Sequence, residues 1–333
     1  MNTELFFFDL DSVDKKRWDS FLVKNCKYPY SHSTTHARYV FEAYNRKPQF
    51  LIVKNEFSEL RCLIFFDDSN KSVSWGFGPF IRGELSHLDD LGRRFWLFIK
   101  TTGYRVRNSL TLPIEDIETG TFNNSFISSA LSLKLANVSI CGTYVITLDK
   151  DIWLRASYRS GGKKRSVLSI FKKCERNGME LIDSYSQLVN KKESFETLLG
   201  YYKDLIEESQ SRLKVRNQSS VSAAKVLITQ DLAKESNSFF AILNGIPVAA
   251  VNLGIVGREA YVRKLVYSDV LRVEKLGGTY FLIMKCLEWA RQQDIDFVHL
   301  PLVRLGLDEK ERNLTKFKKR FGGIFLPSIE LKG

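Results

Sequence analysis

The stretch Leu314-Thr315-Lys316-Phe317-Lys318-Lys319-Arg320-Phe321-Gly322-Gly323 decides how the last part of the chain folds. Because helical positions four residues apart share a face, Phe317 and Phe321 form one apolar stripe, and four cations take the other faces. Gly322 and Gly323 predict the helix end, since glycine adopts the left-handed C-terminal cap. A strand is predicted from Ile324 to Leu331. Such a basic helix suits a phosphate-bearing ligand; the alternative is a solvated helix that only docks on the sheet.

Length and charge set the broad class. The 333 residues suit two domains of about 150 residues each. A hydrophobic share of 44% and a charged share of 26% are ordinary for a globular protein. The net charge of +12 is not ordinary. It favours phosphorylated partners, namely nucleic acid, nucleotide-linked substrates, coenzyme A or an anionic membrane surface.

The five cysteines are scattered without CxxC spacing, which is typical of reduced thiols in a cytosolic protein. The four dispersed histidines add no metal-site pattern, so no metal is expected. The N-terminus lacks the pattern of a signal peptide. The most apolar run, Phe239 to Val256, contains Asn244-Gly245 and Pro247, and it predicts two strands instead of a transmembrane segment. We therefore expect a cytoplasmic protein, with peripheral membrane association left open.

The predicted elements repeat. Residues 1–150 and 151–333 are each predicted to run helix, helix, three antiparallel strands, helix, strand, helix, strand. Asn244-Gly245 marks the clearest hairpin, because this dipeptide favours a type I′ turn. Neither half alternates strand and helix regularly, which argues against a Rossmann-type sheet. The prediction is an α/β (α+β) fold of two similar lobes, with mixed, mainly antiparallel sheets flanked by helices.

The most basic stretch lies in the middle of the chain. Asp151 to Asn177 is predicted as one long helical segment interrupted by Gly161-Gly162. Its cations are candidates to grip an RNA backbone or a lipid diphosphate: Lys163, Lys164, Arg165, Lys172 and Lys173. A solvated helix face is the alternative for each. No RGG, RNP-like or helix-turn-helix pattern is present, so sequence-specific nucleic-acid reading is not expected.

Four motifs in this order resemble the Fem-type (FemABX-like) peptidyltransferase family, which has two tandem GNAT (Gcn5-related acyltransferase) lobes. Phe317–Gly323 looks like its FKxxFGG ending, and Lys172–Gly178 is similar to its basic helix that ends in glycine. Phe240–Val251 looks like the hairpin of the second lobe, and Gly76–Phe80 is similar to a Gly-Pro turn in the first lobe. Each motif alone is weak, and their order and spacing carry the resemblance over almost the whole chain.

The resemblance implies N-acyl transfer. Family members move an amino acid from aminoacyl-tRNA to the amine of a peptidoglycan precursor, whereas distant relatives use acyl-CoA or acyl carrier protein on amino sugars or small amines. The first lobe is then expected to bind a nucleotide- or lipid-linked envelope acceptor or to be structural. The second lobe is expected to bind the donor and to hold the catalytic residues. No tightly bound cofactor is implied. A non-catalytic protein that binds RNA or anionic lipid is the alternative from another class.

The sequence departs from the peptidoglycan branch of that family. No long heptad-patterned arm separates the halves. His36-Ala37-Arg38 stands where that branch commonly has tryptophan followed by lysine, and His299 stands where many members have an acidic residue. Both histidines titrate near neutral pH and are candidate general bases. A packed, hydrogen-bonded histidine is the alternative for each, and a substrate-assisted reaction would need neither.

Candidate phosphate-binding residues occupy two places. In GNAT folds a helix N-terminus after the fourth strand receives the donor phosphates, and by resemblance that helix begins here at Gly277-Gly278-Thr279, with Arg272 and Lys275 adding charge. Its adjacent glycines match the acyl-CoA loop imperfectly, and an ordinary turn is the alternative. On the closing helix, Lys318 is the leading candidate to bind a donor or acceptor phosphate. Lys316 and Arg320 are weaker candidates, because they face elsewhere on the helix.

Overall fold

Two mixed sheets flanked by helices make up the fold. The computed structural model describes residues 3–25, 29–76, 78–83, 88–107, 109–113, 131, 134, 137–160, 163–213, 219–274, 276–304 and 309–332. Within these residues one sheet has six strands, another has nine, and two further strands form a separate antiparallel pair. The predicted mixed α/β fold is therefore confirmed.

The first sheet belongs to the N-terminal lobe and is mainly antiparallel. Its strands run in the order β1-β2-β3-β4-β6, and β5 pairs with β3 beside β4. The bounds are β1 Glu4–Phe8, β2 Lys47–Lys54, β3 Ser58–Asp67, β4 Ser72–Trp75, β5 Phe80–Gly83 and β6 Arg105–Val106. The parallel pair is β4 with β6.

The second sheet takes strands from both halves of the chain. Its order is β11-β12-β13-β14-β15-β8-β17-β7, with β16 pairing with β8. The bounds are β7 Ser109–Pro113, β8 Asn137–Thr147, β11 Met179–Asp183, β12 Ser236–Leu243, β13 Ile246–Val256, β14 Glu259–Tyr267, β15 Phe297–His299, β16 Val303–Arg304 and β17 Ile324–Lys332. The separate hairpin consists of β9 Ser157–Ser160 and β10 Lys163–Ser166.

Helices cover the sheets and fill the space between them. They are α1 Lys15–Asn25, α2 Thr34–Tyr44, α3 Leu88–Thr102, α4 Ile152–Arg155, α5 Leu168–Arg176, α6 Ser184–Val189, α7 Phe195–Leu213, α8 Ser220–Leu232, α9 Val270–Val273, α10 Gly278–Gln292 and α11 Glu309–Lys319, and a 3₁₀ turn spans Pro29–His32. No described helix is long and apolar enough to cross a membrane. The side chains that α7 and α8 bury pack together with those of α2 in one cluster.

The internal repeat is visible in the strand pairing. In the first lobe β1 to β4 pair in sequence as antiparallel neighbours, and β6 then adds parallel to β4. In the second lobe β11 to β14 pair in the same way, and β15 adds parallel to β14. Two α-helices lie between β1 and β2, and three, α6 to α8, lie between β11 and β12. The strand pairing therefore repeats between the two lobes, although the number of helices does not.

The lobes share one apolar core. Phe50 and Leu63 of the first sheet belong to the same buried cluster as Tyr202 of α7 and Phe240 of the second sheet. In addition, β7 and β8 come from before residue 150 but pair with β17. Strands from both sides of residue 150 thus occupy one sheet, and the division into 1–150 and 151–333 stays a prediction.

One element prediction is wrong. Asp151 to Asn177 was predicted as one long helical segment, but Ser157–Ser160 and Lys163–Ser166 form the antiparallel strands β9 and β10, and only α4 and α5 of that segment are helical. Two antiparallel strands this close in sequence require a reversal of the chain, which a continuous helix cannot provide. Lys163, Lys164 and Arg165 are consequently strand residues. A helix predicted over 123–134 lies outside the described residues, apart from 131 and 134.

Candidate active site at the opening between two parallel strands

The second sheet opens between β14 and β15. These strands pair in parallel over Glu259–Tyr261 and Phe297–His299 only. Beyond that point β14 continues to Tyr267 along β13, with a bulge at Arg263, while the chain after β15 stays with β8. Beyond Tyr261, β14 has no strand partner on its β15 side among the described residues, so its backbone N–H groups on that side can receive a substrate carbonyl.

His299 lies at the last paired position of β15, where the strands begin to diverge. Its Nε2 is 2.8 Å from a Glu259 carboxylate oxygen, and its ring stacks on Tyr261 with centroids 4.2 Å apart and an angle of 7°. The Tyr261 hydroxyl donates to the same Glu259 oxygen. Glu259 thus accepts a hydrogen bond from Tyr261 and lies against the imidazole, which restricts the orientation of His299. Only 5% of His299 is exposed.

Lys318 reaches the loop that follows His299. Its ammonium Nζ donates to the carbonyl oxygens of Pro301 at 2.6 Å and Leu302 at 2.9 Å. Burial lowers the pKa of Lys318 to about 7, and the Glu311 carboxylate opposes this shift. With 3% exposure, the side chain holds the loop in place and does not extend into solvent. Lys318 and His299 thus meet at one short segment of backbone.

The closing helix α11 is anchored by aromatics, as its sequence predicts. Phe321 is fully buried, and Phe317 and Phe321 lie edge to face with centroids 5.2 Å apart. Tyr280 packs on both rings, and Arg320 donates to the Tyr280 hydroxyl. Gly322 has a φ of +76° just past the helix end, the conformation that the glycine pair predicts. Arg320 therefore has an intramolecular partner, whereas Lys316 is exposed.

The N-terminus of α10 is covered by α5. A Cβ on Gly277 would lie 2.1 Å from the Ile170 side chain, and the Gly277 N–H donates to the Cys174 sulfur. Phe171 of α5 also stacks on Phe281 of α10, with centroids 5.1 Å apart. Close packing between two helices therefore accounts for Gly277, and this geometry argues against the predicted phosphate site there.

The other members of that predicted site give it little support. Gly278 packs against Leu271, since an added Cβ would lie 2.7 Å from that side chain. Thr279 is half-buried in the first turn of α10. Arg272 belongs to the four-residue helix α9, and its side chain is not described. Lys275 lies outside the described residues.

The two basic segments predicted separately meet around this covered helix end. The Ser157 N–H, at the start of the β9-β10 hairpin, donates to the Arg320 carbonyl at the end of α11. The hairpin leads directly into α5, whose Lys172 and Lys173 are exposed. Lys316, which comes shortly before Arg320 in the chain, is also exposed. The start of the hairpin is therefore bonded to the end of α11, and exposed cations lie on α5 and α11. The side chains of Lys163, Lys164 and Arg165 are not described.

Comparison with known proteins concerns the fold. No family model and no curated protein matches the sequence. The crystal structure of FemX aligns with 99% of this chain and 97% of its own, with a TM-score of 0.62 at 10% identity. L-PGS from Bacillus licheniformis aligns with 96% of this chain and 91% of its own, with a TM-score of 0.57 at 14% identity. A tandem GNAT protein from the clavulanic acid biosynthesis pathway aligns with 99% of both chains, with a TM-score of 0.56 at 11% identity. The chain has a Fem-type, tandem GNAT fold.

His36, the second candidate base, lies in the first lobe of this tandem GNAT fold and is enclosed by aromatic rings. Tyr30 lies 5.0 Å and Phe65 5.6 Å from it, measured between ring centroids. Burial, followed by the charge of Arg263, lowers the pKa of His36 to about 3. The imidazole is therefore neutral at physiological pH and a weak proton acceptor, so a packed histidine fits this site better than a general base.

Several residues at the junction of the two GNAT lobes were missed by sequence reasoning. Tyr30 stacks on Tyr261 with centroids 4.9 Å apart, which links the first lobe to the His299 site. Arg263, at the β14 bulge, bonds to Asn252 and Gln230 and lies over the Tyr39 ring at 5.0 Å. Glu259 and Tyr261 alternate along one strand, but only strand pairing identifies His299 as their neighbour. The described residues contain no cluster of three groups that could hold a metal.

Proposed function

We propose that this protein is an N-acyltransferase that transfers an aminoacyl group from aminoacyl-tRNA to the amine of a cell-envelope precursor. The observation that carries the proposal is the opening between β14 and β15, where His299 and the loop held by Lys318 lie together. The charge of +12 fits a polyanionic donor. Two of the aligned structures, FemX and L-PGS, support this class because they have the same fold.

The donor is inferred from the start of α10. In an acyl-CoA-dependent GNAT enzyme, a helix start in this position must be open to receive the diphosphate of the donor. Here Ile170 and Cys174 of α5 occupy the approach to Gly277. Lys172 and Lys173 lie on the same covering helix and are exposed. This arrangement favours tRNA, whose phosphate backbone can bind to the exposed face of α5. It disfavours coenzyme A, whose diphosphate would have to reach the covered start of α10.

The proposed reaction is aminolysis of an ester. The acceptor amine attacks the ester carbonyl, an amide bond forms, and the bond to the ribose oxygen of tRNA breaks. The proton lost by the amine passes to that leaving oxygen. His299, oriented by Glu259, is the residue proposed to carry this proton. Lys318 fixes the Pro301 and Leu302 backbone beside the reacting carbonyl, so its contribution is alignment.

The first lobe is proposed to present the acceptor, a nucleotide- or lipid-linked envelope precursor. A route between the lobes is suggested by the stack of Tyr30 on Tyr261, which continues to His299. Arg38 of the first lobe also lies 3.6 Å from Glu235 of the second, so charged groups line the same junction. A lipid-linked acceptor would require peripheral contact with a membrane. A cytoplasmic location belongs to the same proposal.

The decisive experiment compares donors. Purified protein is mixed with charged tRNA or with acetyl-CoA, each with an amine acceptor mixture, and donor loss is followed. Loss of the aminoacyl group from tRNA alone is expected. Loss of acetyl-CoA alone would support the alternative, an acyl-CoA or acyl carrier protein dependent transferase acting on an amino sugar or small amine. Salt-sensitive RNA or vesicle binding with loss of neither donor would support a non-catalytic binding protein.

Matched variants connect turnover to the site. Lys318→Met removes the two hydrogen bonds to the loop, whereas Lys319→Met changes the exposed neighbour on the same helix. We expect Lys318→Met to abolish donor loss and Lys319→Met to retain it within a few-fold. Thermal unfolding verifies that both variants fold. Equal activity of the two variants would refute the role given to Lys318.

A further inference from the structure

The first lobe contains a cavity that the proposed transfer reaction does not use. It has a volume of about 380 Å³ and lies between the first sheet and the start of α1. Strand register places Phe6, Ile52 and Arg61 side by side across β1, β2 and β3, and all three line the cavity. Trp18 of α1 closes one side, where its ring meets Phe50 edge to face at 5.0 Å. The volume is within the range of small-molecule sites.

Arg61 is the buried cation of this cavity. It is 8% exposed, and its guanidinium lies 3.8 Å from the Phe21 ring centroid and 5.4 Å from that of Trp18. Its Nε donates to Glu59, and that is its one side-chain hydrogen bond among the described residues. The terminal NH₂ groups of Arg61 are accessible, since neither is fully buried without a hydrogen-bond partner, and Arg61 lines the cavity. A guanidinium packed against aromatic rings loses little further freedom when it donates two parallel hydrogen bonds.

The remaining charges favour an anion. Arg17 and Lys54 join Arg61 in the lining, against the two acids Asp14 and Glu59. Both acids already accept hydrogen bonds, Glu59 from Arg61 and Asp14 from the backbone N–H of Arg17. Lys54 lies over the Phe6 ring at 4.9 Å, and its ammonium is 3.6 Å from a Glu4 carboxylate oxygen. The terminal nitrogens of Arg61 therefore remain as the main donors, and the ring surfaces of Phe6, Phe8 and Trp18 supply apolar area.

We propose that this cavity binds a small organic anion with a flat apolar body. A carboxylate or phosphate group accepts hydrogen bonds from the terminal nitrogens of Arg61, with Arg17 and Lys54 adding charge. The body lies between Phe6 and Trp18. This site stands on the first sheet and is independent of the transfer reaction at His299 and Lys318.

The test uses two probes that differ by one charge. 8-Anilinonaphthalene-1-sulfonate carries an anionic group on the same ring system as neutral N-phenyl-1-naphthylamine, and both report binding by fluorescence. We expect saturable 1:1 binding of the sulfonate. The double variant Glu59→Gln/Arg61→Met, which removes the ion pair as a whole, should weaken sulfonate binding about tenfold or more and change binding of the neutral probe by less than about threefold. Equal loss for both probes, or no loss, would overturn the proposal.

Exposed positions keep the test valid if the double variant fails to fold. Arg17→Gln removes an exposed cation and should weaken sulfonate binding by about threefold, whereas Lys24→Gln at the far end of the same helix should not. Competition with benzoate and with phenyl phosphate then identifies the preferred anionic group. The preferred group is the one whose compound displaces the sulfonate probe at the lower concentration. Failure of both to displace it would also overturn the proposal. Transferase activity enters none of these measurements.

Discussion

The buried ammonium of Lys318 makes the stability of the protein depend on pH in a defined direction. Burial lowers its pKa in the folded protein from 10.5 to about 7. Protonation is therefore favoured in the unfolded chain. The resulting cost to the folded state is fully present below pH 7 and disappears as the pH rises towards 10.5. Other groups titrate over the same range, so the effect is isolated by replacing this side chain.

Lys318→Met retains most of the buried stem and removes the titrating group. At roughly 1.4 kcal/mol for each unit of pKa difference, the free energy of unfolding of the wild type should rise by about 2 to 3 kcal/mol relative to Lys318→Met between pH 6 and pH 9. The variant also leaves the Pro301 and Leu302 carbonyls without their donor, which costs about 1 to 3 kcal/mol for each sealed oxygen and does not vary with pH. The pH dependence therefore separates the two effects.

Urea unfolding followed by circular dichroism at pH 6, 7, 8 and 9 measures the difference. Lys319→Met is the control, because this neighbour is exposed and should show no differential pH dependence. A constant gap between wild type and Lys318→Met across the four pH values would refute the reasoning. It would mean that the two carbonyl partners keep the ammonium charged throughout, and that alignment of the loop does not depend on its protonation.

Three further substitutions probe the site and its support. Gly277→Ala places a methyl group 2.1 Å from the Ile170 side chain, so urea unfolding should show a loss of about 1 to 3 kcal/mol that Ile170→Ala largely restores. Phe321→Ala removes a fully buried ring and should cost about 3 to 5 kcal/mol in the same assay; a loss below 1 kcal/mol would contradict its anchoring role. Glu259→Gln should lower the rate of aminoacyl transfer roughly 100-fold and change its pH profile, because His299 loses its ionised partner; an unchanged profile would exclude His299 as the proton carrier.

Local patterns predicted most of the architecture. The aromatic spacing and the glycine pair predicted the closing helix α11 and its end, and α10 begins at Gly278, where the predicted helix starts. Asn244-Gly245, both with positive φ, forms the expected hairpin turn. These features depend on side chains within a few positions of one another. The pairing of β9 with β10 was missed, because a short run of Lys, Arg and Ser has no period that distinguishes strand from helix.

The candidate site was predicted only in part. His299 and Lys318 were identified from the sequence, and the fold brings both to the segment around Pro301. What they touch was not foreseen. Lys318 was expected to meet a phosphate, but its ammonium donates to two backbone carbonyls. His36 was a second candidate base on the sequence, yet aromatic rings enclose it.

The sequence by itself determined the element order, the repeat of two lobes and the basic character of the segments around Lys172 and Lys318, because each depends on composition and local period. Only the tertiary structure decided which residues meet. Parallel pairing of β14 with β15 places Glu259 beside His299 across 40 positions of sequence, and packing of α5 on Gly277 covers a helix start that would otherwise be open to phosphate. The physical reason is that contacts between distant segments depend on strand register and close packing in three dimensions, which local sequence patterns do not encode.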